Sequence, residues 1–141
     1  MRFRRATIAD ADLLSQMNGR LIRDERHRNP MSPAELKARM EGWLAGEFQA
    51  ALFEDDAGPI GYALFRFDPA HVYLRQFYIE PERRRQGHGR KAMAWLFESV
   101  FPPDRRVRLD VLIGNLVAID FWRSVGFADY CLTMERPGRR A

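Results

Sequence analysis

Apolar positions recur along the chain at two different spacings. Leu13, Leu14, Met17, Leu21 and Ile22 fall three and four apart, as on one face of a helix, and Leu36, Met40, Trp43 and Leu44 repeat the pattern. Asp10 is placed to cap the first helix. Pro30 bounds it, so it should run out near 26–29. Ser32-Pro33-Ala34-Glu35 predicts the second start, with a capping box and a proline at the first helical position; Gly46 predicts its stop. Phe3 to Ile8 predicts a strand ahead of both. Phe48 to Phe53 and Ile60 to Phe67 predict a hairpin around Asp55-Asp56-Ala57-Gly58-Pro59. After Asp68-Pro69 comes another extended run, residues 72–79. Ala92, Met93, Leu96, Phe97 and Val100 predict a helix reaching about Phe101, where Pro102-Pro103 ends it. Val107, Leu109, Val111 and Ile113 then alternate with Arg108, Asp110 and Leu112, the mark of a strand with a buried face. Gly114-Asn115 opens a short helix carrying Ala118, Ile119, Phe121, Trp122 and Val125. Tyr130 to Met134 predicts a last strand, with a frayed tail from Pro137. The order β-α-α-β-β-β-α-β-α-β, with helices on both faces of a mixed sheet, defines an α/β (α+β) class. With 141 residues and no repeat or linker, one domain over 1–141 is expected.

One stretch interrupts this regular patterning. The strand Val72-Tyr73-Leu74-Arg75-Gln76-Phe77-Tyr78-Ile79 runs through Glu80-Pro81 into Arg84-Arg85-Gln86-Gly87-His88-Gly89, and a helix follows directly. The first turn of a helix carries backbone N–H groups without intrahelical acceptors, and the helix dipole makes that end positive. Two glycines let an anion's oxygens approach the backbone. Arg83, Arg84, Arg85, Arg90 and Lys91 add side-chain charge. Strand, glycine loop and helix N-terminus together make a phosphate cradle. The loop lacks both the G-x-x-x-x-G-K-[ST] of nucleotide triphosphatases and the three-glycine dinucleotide fingerprint.

Charge distribution sharpens the picture. Residues 1–70 hold 10 Lys+Arg and 11 Asp+Glu, a net of −1, whereas residues 71–141 hold 13 and 8, a net of +5. The positive excess therefore shares its half of the chain with the glycine loop, as a polyanionic ligand requires. A basic half also fits nucleic acid, but these arginines cluster at one loop without an aromatic stacking platform. No apolar run has the length of a membrane span, and the N-terminus shows no signal-peptide pattern. The single Cys131 excludes an internal disulfide framework and is expected to be a small core residue. These features predict a cytoplasmic protein. The three His residues are scattered without ligand spacing, so no metal site is expected.

The pattern [QR]-x-x-G-x-[GA], here Arg84-x-x-Gly87-x-Gly89 after a strand ending Tyr78-Ile79-Glu80-Pro81, resembles the acyl-CoA-binding motif of the GNAT N-acetyltransferase superfamily. A second segment agrees: Asn115-x-x-Ala118-Ile119-x-Phe121, closing on Gly126-Phe127, resembles the family's N-x-x-A-x-x-x-Y-x-x-x-G-F. The predicted element order is also that of the family, so the resemblance covers essentially the whole chain. It implies transfer of an acetyl group from acetyl-CoA to a primary amine. It further implies that the backbone amides of Arg85, Gln86, Gly87, His88, Gly89 and Arg90 hold the pyrophosphate, with Arg84 at the family's Gln/Arg position and His88 pointing outward. Phe77, Tyr78 and Ile79 would flank pantetheine where the strand parts from its neighbour, and the Phe77 amide would donate to the thioester carbonyl. Asn115 would touch the cofactor arm from the other side. A homodimer is left open.

The sequence departs from the family at one catalytic position. The Tyr that often protonates the departing thiolate is here Trp122, whose indole N–H is not a usable acid. Tyr130 or water could replace it, and Trp122 could equally be core packing. For the base that an alkylamine needs, the candidates are Glu25, His27, His71 and Tyr73. Asp24, Glu25 and His27, with Tyr73 and Arg75 on the central strand, are the acceptor-side candidates. A non-catalytic acyl-CoA-binding domain is the second reading, and a nucleic-acid-binding module the third.

Overall fold

The computed structural model describes residues 1–25 and 28–140. The expectation placed on His27 lies outside the described residues. Five strands, β1 (Arg2–Arg5), β2 (Phe48–Asp55), β3 (Gly58–Phe67), β4 (His71–Ile79) and β5 (Arg106–Arg108), form one sheet in sequential order. Neighbours are antiparallel except β4 and β5, which are parallel. A parallel neighbour needs a crossover, and helix α3 (His88–Trp95), extended by a π-helical segment Leu96–Val100, supplies it. Helices α1 (Ala11–Asp24) and α2 (Pro33–Ala45) lie between β1 and β2, and α4 (Leu116–Ser124) follows β5. The observed class is the mixed α/β arrangement that the hydrophobic pattern predicts.

The helix starts follow local chemistry. At α2 the Ser32 hydroxyl accepts from the Glu35 N–H at 3.2 Å, and the Glu35 carboxylate accepts from the Ser32 N–H at 2.9 Å. Such a reciprocal cap is worth about 1 kcal/mol. Asp10 does not cap α1 through its side chain. Its carboxylate instead accepts from the Thr7 N–H at 2.8 Å and from Arg4, closing a 3-10 turn at Ile8–Asp10 just ahead of α1.

Each face of the sheet has its own core. Leu14, Met17, Leu21 and Met40 of α1 and α2 pack on Leu52, Tyr62, Leu64 and Tyr78. Ala92, Met93 and Leu96, with Phe101, pack on Phe53, Phe65, Val72 and Leu74 on the other face. Burying each of these large apolar side chains contributes about 1.5–3 kcal/mol. Together the two layers clamp β4 between them.

The C-terminal part differs from expectation. Of the alternating run Val107 to Ile113, only Arg106–Arg108 forms a strand, and Val111 and Ile113 are exposed. The segment Tyr130 to Met134 is not a strand among the described residues, and Tyr130, Leu132 and Met134 are 60–81% exposed. Cys131 is exposed rather than in the core. Alternation tells which side chains could share a face; a strand also needs a neighbouring backbone to pair with. No described turn or loop hydrogen bond joins the backbone of 128–136 to anything else.

Candidate active site

Strand β4 carries the site, and its two ends are built differently. At the first end, His71, Val72 and Tyr73 pair with Arg106, Val107 and Arg108 of β5. Beyond Tyr73 that edge has no strand partner, because β5 ends at Arg108. The edge of β4 from Arg75 to Ile79 is thus open on the side where β5 departs. On its other side β4 stays paired with β3 through Gly61↔Ile79. Within that ladder Leu64 faces Gln76 and Phe65 faces Leu74, so Arg75 is an extra, bulged residue. A bulge re-aims side chains. Leu74, Phe77 and Ile79 therefore lie against the α3 and α4 face, while Gln76 reaches Tyr62, which packs on the α1 and α2 face with Tyr78.

The open end leads straight into the glycine loop. Arg85 has φ 61° and Gly87 has φ 81°, two left-handed residues separated by one. Left-handed backbone costs a residue with a side chain about 1–2 kcal/mol, so the conformation of Arg85 is held by its surroundings. Turns of this kind aim successive N–H groups into one concavity. The backbone hydrogen bonds at the turn are Arg83 N–H to Glu80 O, Arg84 N–H to Pro81 O and Lys91 N–H to Gly87 O; none of them uses an N–H from Arg85 to Arg90. Gly89 lies against the Phe121 ring, where an added Cβ would come within 3.1 Å. The loop, β4 and α4 thus meet at one place, with Phe77 stacked on Phe121 and edge-on to Trp122.

The basic side chains around the loop mostly serve the protein itself. Arg83 pairs with Asp55 at 2.9 Å, and Arg90 donates to the Ser124 hydroxyl and carbonyl on α4. Arg84 donates to the Ile79 carbonyl at 2.8 Å and pairs with Asp24. What the loop offers an anion is therefore mainly backbone N–H, with Arg85 and Lys91 outside these ion pairs. Beside Arg90, an open groove of about 370 Å³ runs between α3 and α4, lined by Met93, Phe97 and Val125. Gln86 bonds back to the Glu82 carbonyl. His88 does not point outward: its Nδ1 is buried with no hydrogen-bond partner. The Asn115 side chain accepts from the Ala118 N–H at 3.2 Å, capping α4.

The acceptor-side and catalytic candidates fall at different places. His71 sits at the paired end, 3.3 Å from Asp68. Six residues of strand, about 20 Å, separate it from Phe77. Tyr73 donates to Asp110 at 3.1 Å, and burial, then the Asp110 charge, raise its pKa, so it is held protonated rather than basic. Asp24 is occupied by Arg84. Tyr130 lies exposed on the C-terminal segment, where its ring sits under the Arg108 guanidinium and its hydroxyl accepts from it at 3.2 Å. Trp122 packs among Phe77, Phe121 and Phe127, which is the packing role. Glu25, at the C-terminal end of α1, is close enough to Tyr62 for its charge to raise the Tyr62 pKa, although burial is the larger cause.

The structure also assembles residues not singled out from the sequence. Tyr62 is fully buried and donates to Gln76 at 2.8 Å. Asn18, also fully buried, accepts from Arg39 at 3.0 Å. Arg39 lies over the Trp43 ring. Their one visible signal is the four-residue spacing of Arg39 and Trp43 on a helix. The partners Asn18, Tyr62 and Gln76 come from three other elements and carry no local pattern.

Comparison with known proteins agrees with this geometry. The family model for the acetyltransferase (GNAT) family matches residues 17–127. Among solved structures, a mutant form of the BH1408 protein from Bacillus halodurans superposes with a TM-score of 0.80 at 20% identity, covering 97% of this chain and 99% of that one. A predicted acetyltransferase from Clostridium acetobutylicum, solved with acetyl-CoA, gives 0.73 at 21% identity over 96% and 95% of the two chains. The aminoglycoside N-acetyltransferase AAC(6')-Iy, in complex with CoA, gives 0.74 at 14% identity over 98% and 94%. No curated protein sequence matches. The chain is a member of the GNAT acetyltransferase family.

Proposed function

We propose that residues 1–141 act as one cytoplasmic N-acetyltransferase domain that takes its acetyl group from acetyl-CoA. The observation that carries this reading is the continuity of the open β4 edge with the glycine turn. Among the described residues, backbone N–H groups between Arg85 and Arg90 have no backbone acceptor, and a pyrophosphate would supply one. The close contact of Gly89 with Phe121 fits a turn that must stay thin. Acetyl-CoA supplies an activated thioester, from which the acceptor's amine nitrogen takes the acetyl carbon as the C–S bond breaks. The chain positions that carbonyl along the open edge, where the Phe77 amide would stabilise charge developing on its oxygen. Glu25 is the base candidate best placed, on the α1 and α2 face beside the buried Tyr62. With Trp122 packed and Tyr130 exposed, solvent is the proton source for the departing thiolate, whose modest basicity allows it. A second reading, acyl-CoA binding without transfer, draws on Trp122 standing where relatives often have Tyr.

Thiol release from acetyl-CoA across a panel of amines, with mass analysis of the products, tests the two readings. Amine-dependent release with one added acetyl group is expected. Tight CoA binding without release across the panel would favour the second reading, and no CoA binding would defeat both.

A further inference from the structure

Eight of the twenty described arginines pair with carboxylates, as Arg4 does with Asp10 and Glu54, Arg20 with Glu80, and Arg66 with Asp68. Arg39 and Arg75 differ from the other unpaired ones in sharing one aromatic ring. Among the described residues neither has a carboxylate partner. Both guanidinium groups nonetheless lie over the same Trp43 ring, at 4.3 and 4.8 Å from its centroid. Arg39 projects from α2, one helical turn before Trp43; Arg75 projects from the bulge in β4. Arg39 is half-buried, and burial first, then the charge of Arg75, lower its pKa. It makes one hydrogen bond, to Asn18, and its Nε is buried without an acceptor.

This arrangement is costly on its own. Two like charges are held at one ring, one of them partly stripped of water, with donors left unused. Cation–π contact returns only about 1–2 kcal/mol per pair. An oxyanion placed between the guanidiniums would supply the missing charge and accept the unused N–H groups. The position also matters. Arg75 stands two residues before Phe77, at the start of the open edge, and Glu25 lies on the same sheet face through its proximity to Tyr62.

We propose that the acceptor amine of this enzyme also carries a carboxylate, which Arg75 and Arg39 hold beside Trp43 while the amine faces the open edge of β4. The proposal rests on the acetyltransferase reading and narrows its substrate class to amino acids in the broad sense. Glu25 would attract the ammonium end, and the arginines the carboxylate end. A purely cationic acceptor would meet repulsion from the pair.

Matched acceptors test this. Steady-state turnover is measured for β-alanine, 4-aminobutyrate, 6-aminohexanoate and lysine, each against its carboxamide, with rates corrected for the free-base fraction of the amine. Calorimetric titration of the CoA-loaded protein with the same pairs gives a readout independent of turnover. At least one acid should exceed its amide by about tenfold or more in kcat/KM and in affinity. Arg75→Ala and Arg39→Ala should each remove that preference by raising KM for the acid. The amide's kcat/KM should stay level or rise as the repulsion is relieved, and the affinity for CoA should stay within about twofold. Equal or better use of amides and polyamines, by both readouts, would overturn the proposal while leaving the acetyltransferase reading intact. So would variants that lower stability but keep the acid-over-amide ratio, since that is the behaviour of packing alone. Failure to bind CoA would instead remove the acetyltransferase reading, and this inference with it.

Discussion

The two ends of β4 share a sheet, a pair of flanking cores and nine residues of chain, yet only one has an open edge and is the proposed site. At the His71 end, both edges of the strand are paired, and the side chains are tied off locally, His71 with Asp68 and Tyr73 with Asp110. At the Ile79 end, β3 is the only strand partner among the described residues, and the chain continues into a turn whose N–H groups have no described backbone acceptor. On the proposed reading, binding capacity comes from backbone left unpaired by the early end of β5, with side chains deciding what surrounds it, and a short β5 is part of the functional architecture.

The comparison can be broken most severely at its single remaining ladder. Gly61 pairs with Ile79, and a Cβ there would lie 2.1 Å from the Tyr78 carbonyl oxygen. Gly61→Ala should cost about 3 kcal/mol or more in chemical denaturation, or prevent folding, because backbone cannot move aside cheaply. A loss below about 0.5 kcal/mol would mean that the open end is not anchored as described.

The next largest effect belongs to the turn. Gly87→Glu places a carboxylate and a side chain at φ 81° where the pyrophosphate should sit. Calorimetry should show CoA affinity falling by about a hundredfold, roughly 2.7 kcal/mol, in a folded variant. Unchanged affinity would put the pyrophosphate elsewhere. Trp122→Phe should be milder. If Trp122 only packs, kcat stays within about threefold, whereas loss of a true acid typically costs a hundredfold or more. Tyr130→Phe should also leave kcat nearly unchanged if solvent protonates the thiolate; a selective loss of kcat would return that role to Tyr130.

The closed end should respond least. His71→Ala should leave kcat/KM within about twofold, since it lies about 20 Å along the strand from Phe77. Asp68 offers a finer probe. The hydrogen bond from Arg66 is the main cause that holds the Asp68 carboxyl below its usual range. The folded protein then gives up this proton at lower pH than the unfolded chain does. The resulting stabilisation is complete above the ordinary carboxylate pKa, near 4, and is lost as pH falls from there through the folded value. Asp68→Asn should flatten that acid limb of a stability-versus-pH curve, and an identical limb in both proteins would show that the pairing contributes nothing.

Sequence pattern made the open end legible and obscured the rest. The glycine turn, its preceding strand and the Asn115 segment are contiguous, so local spacing exposes them. The capping box at Ser32 and Glu35 was visible for the same reason. The regularity of Val107 to Ile113 and Tyr130 to Met134, by contrast, overstated the sheet, because alternation cannot report whether a neighbouring backbone is present. His71 illustrates a related limit: it is the first residue of β4, and sequence pattern does not tell which end of a strand is open. The Arg39, Trp43 and Arg75 cluster needs α2 folded over the bulge in β4, and no single stretch of sequence contains it.

Backbone amide shifts on titration with acetyl-CoA test the open-end assignment most directly. The largest changes are expected at Gln76 to Ile79 and at Arg85 to Arg90, with His71 to Tyr73 and Arg106 to Arg108 nearly still. Saturable binding that moves the closed end while leaving the turn from Arg85 to Arg90 unperturbed would contradict the account.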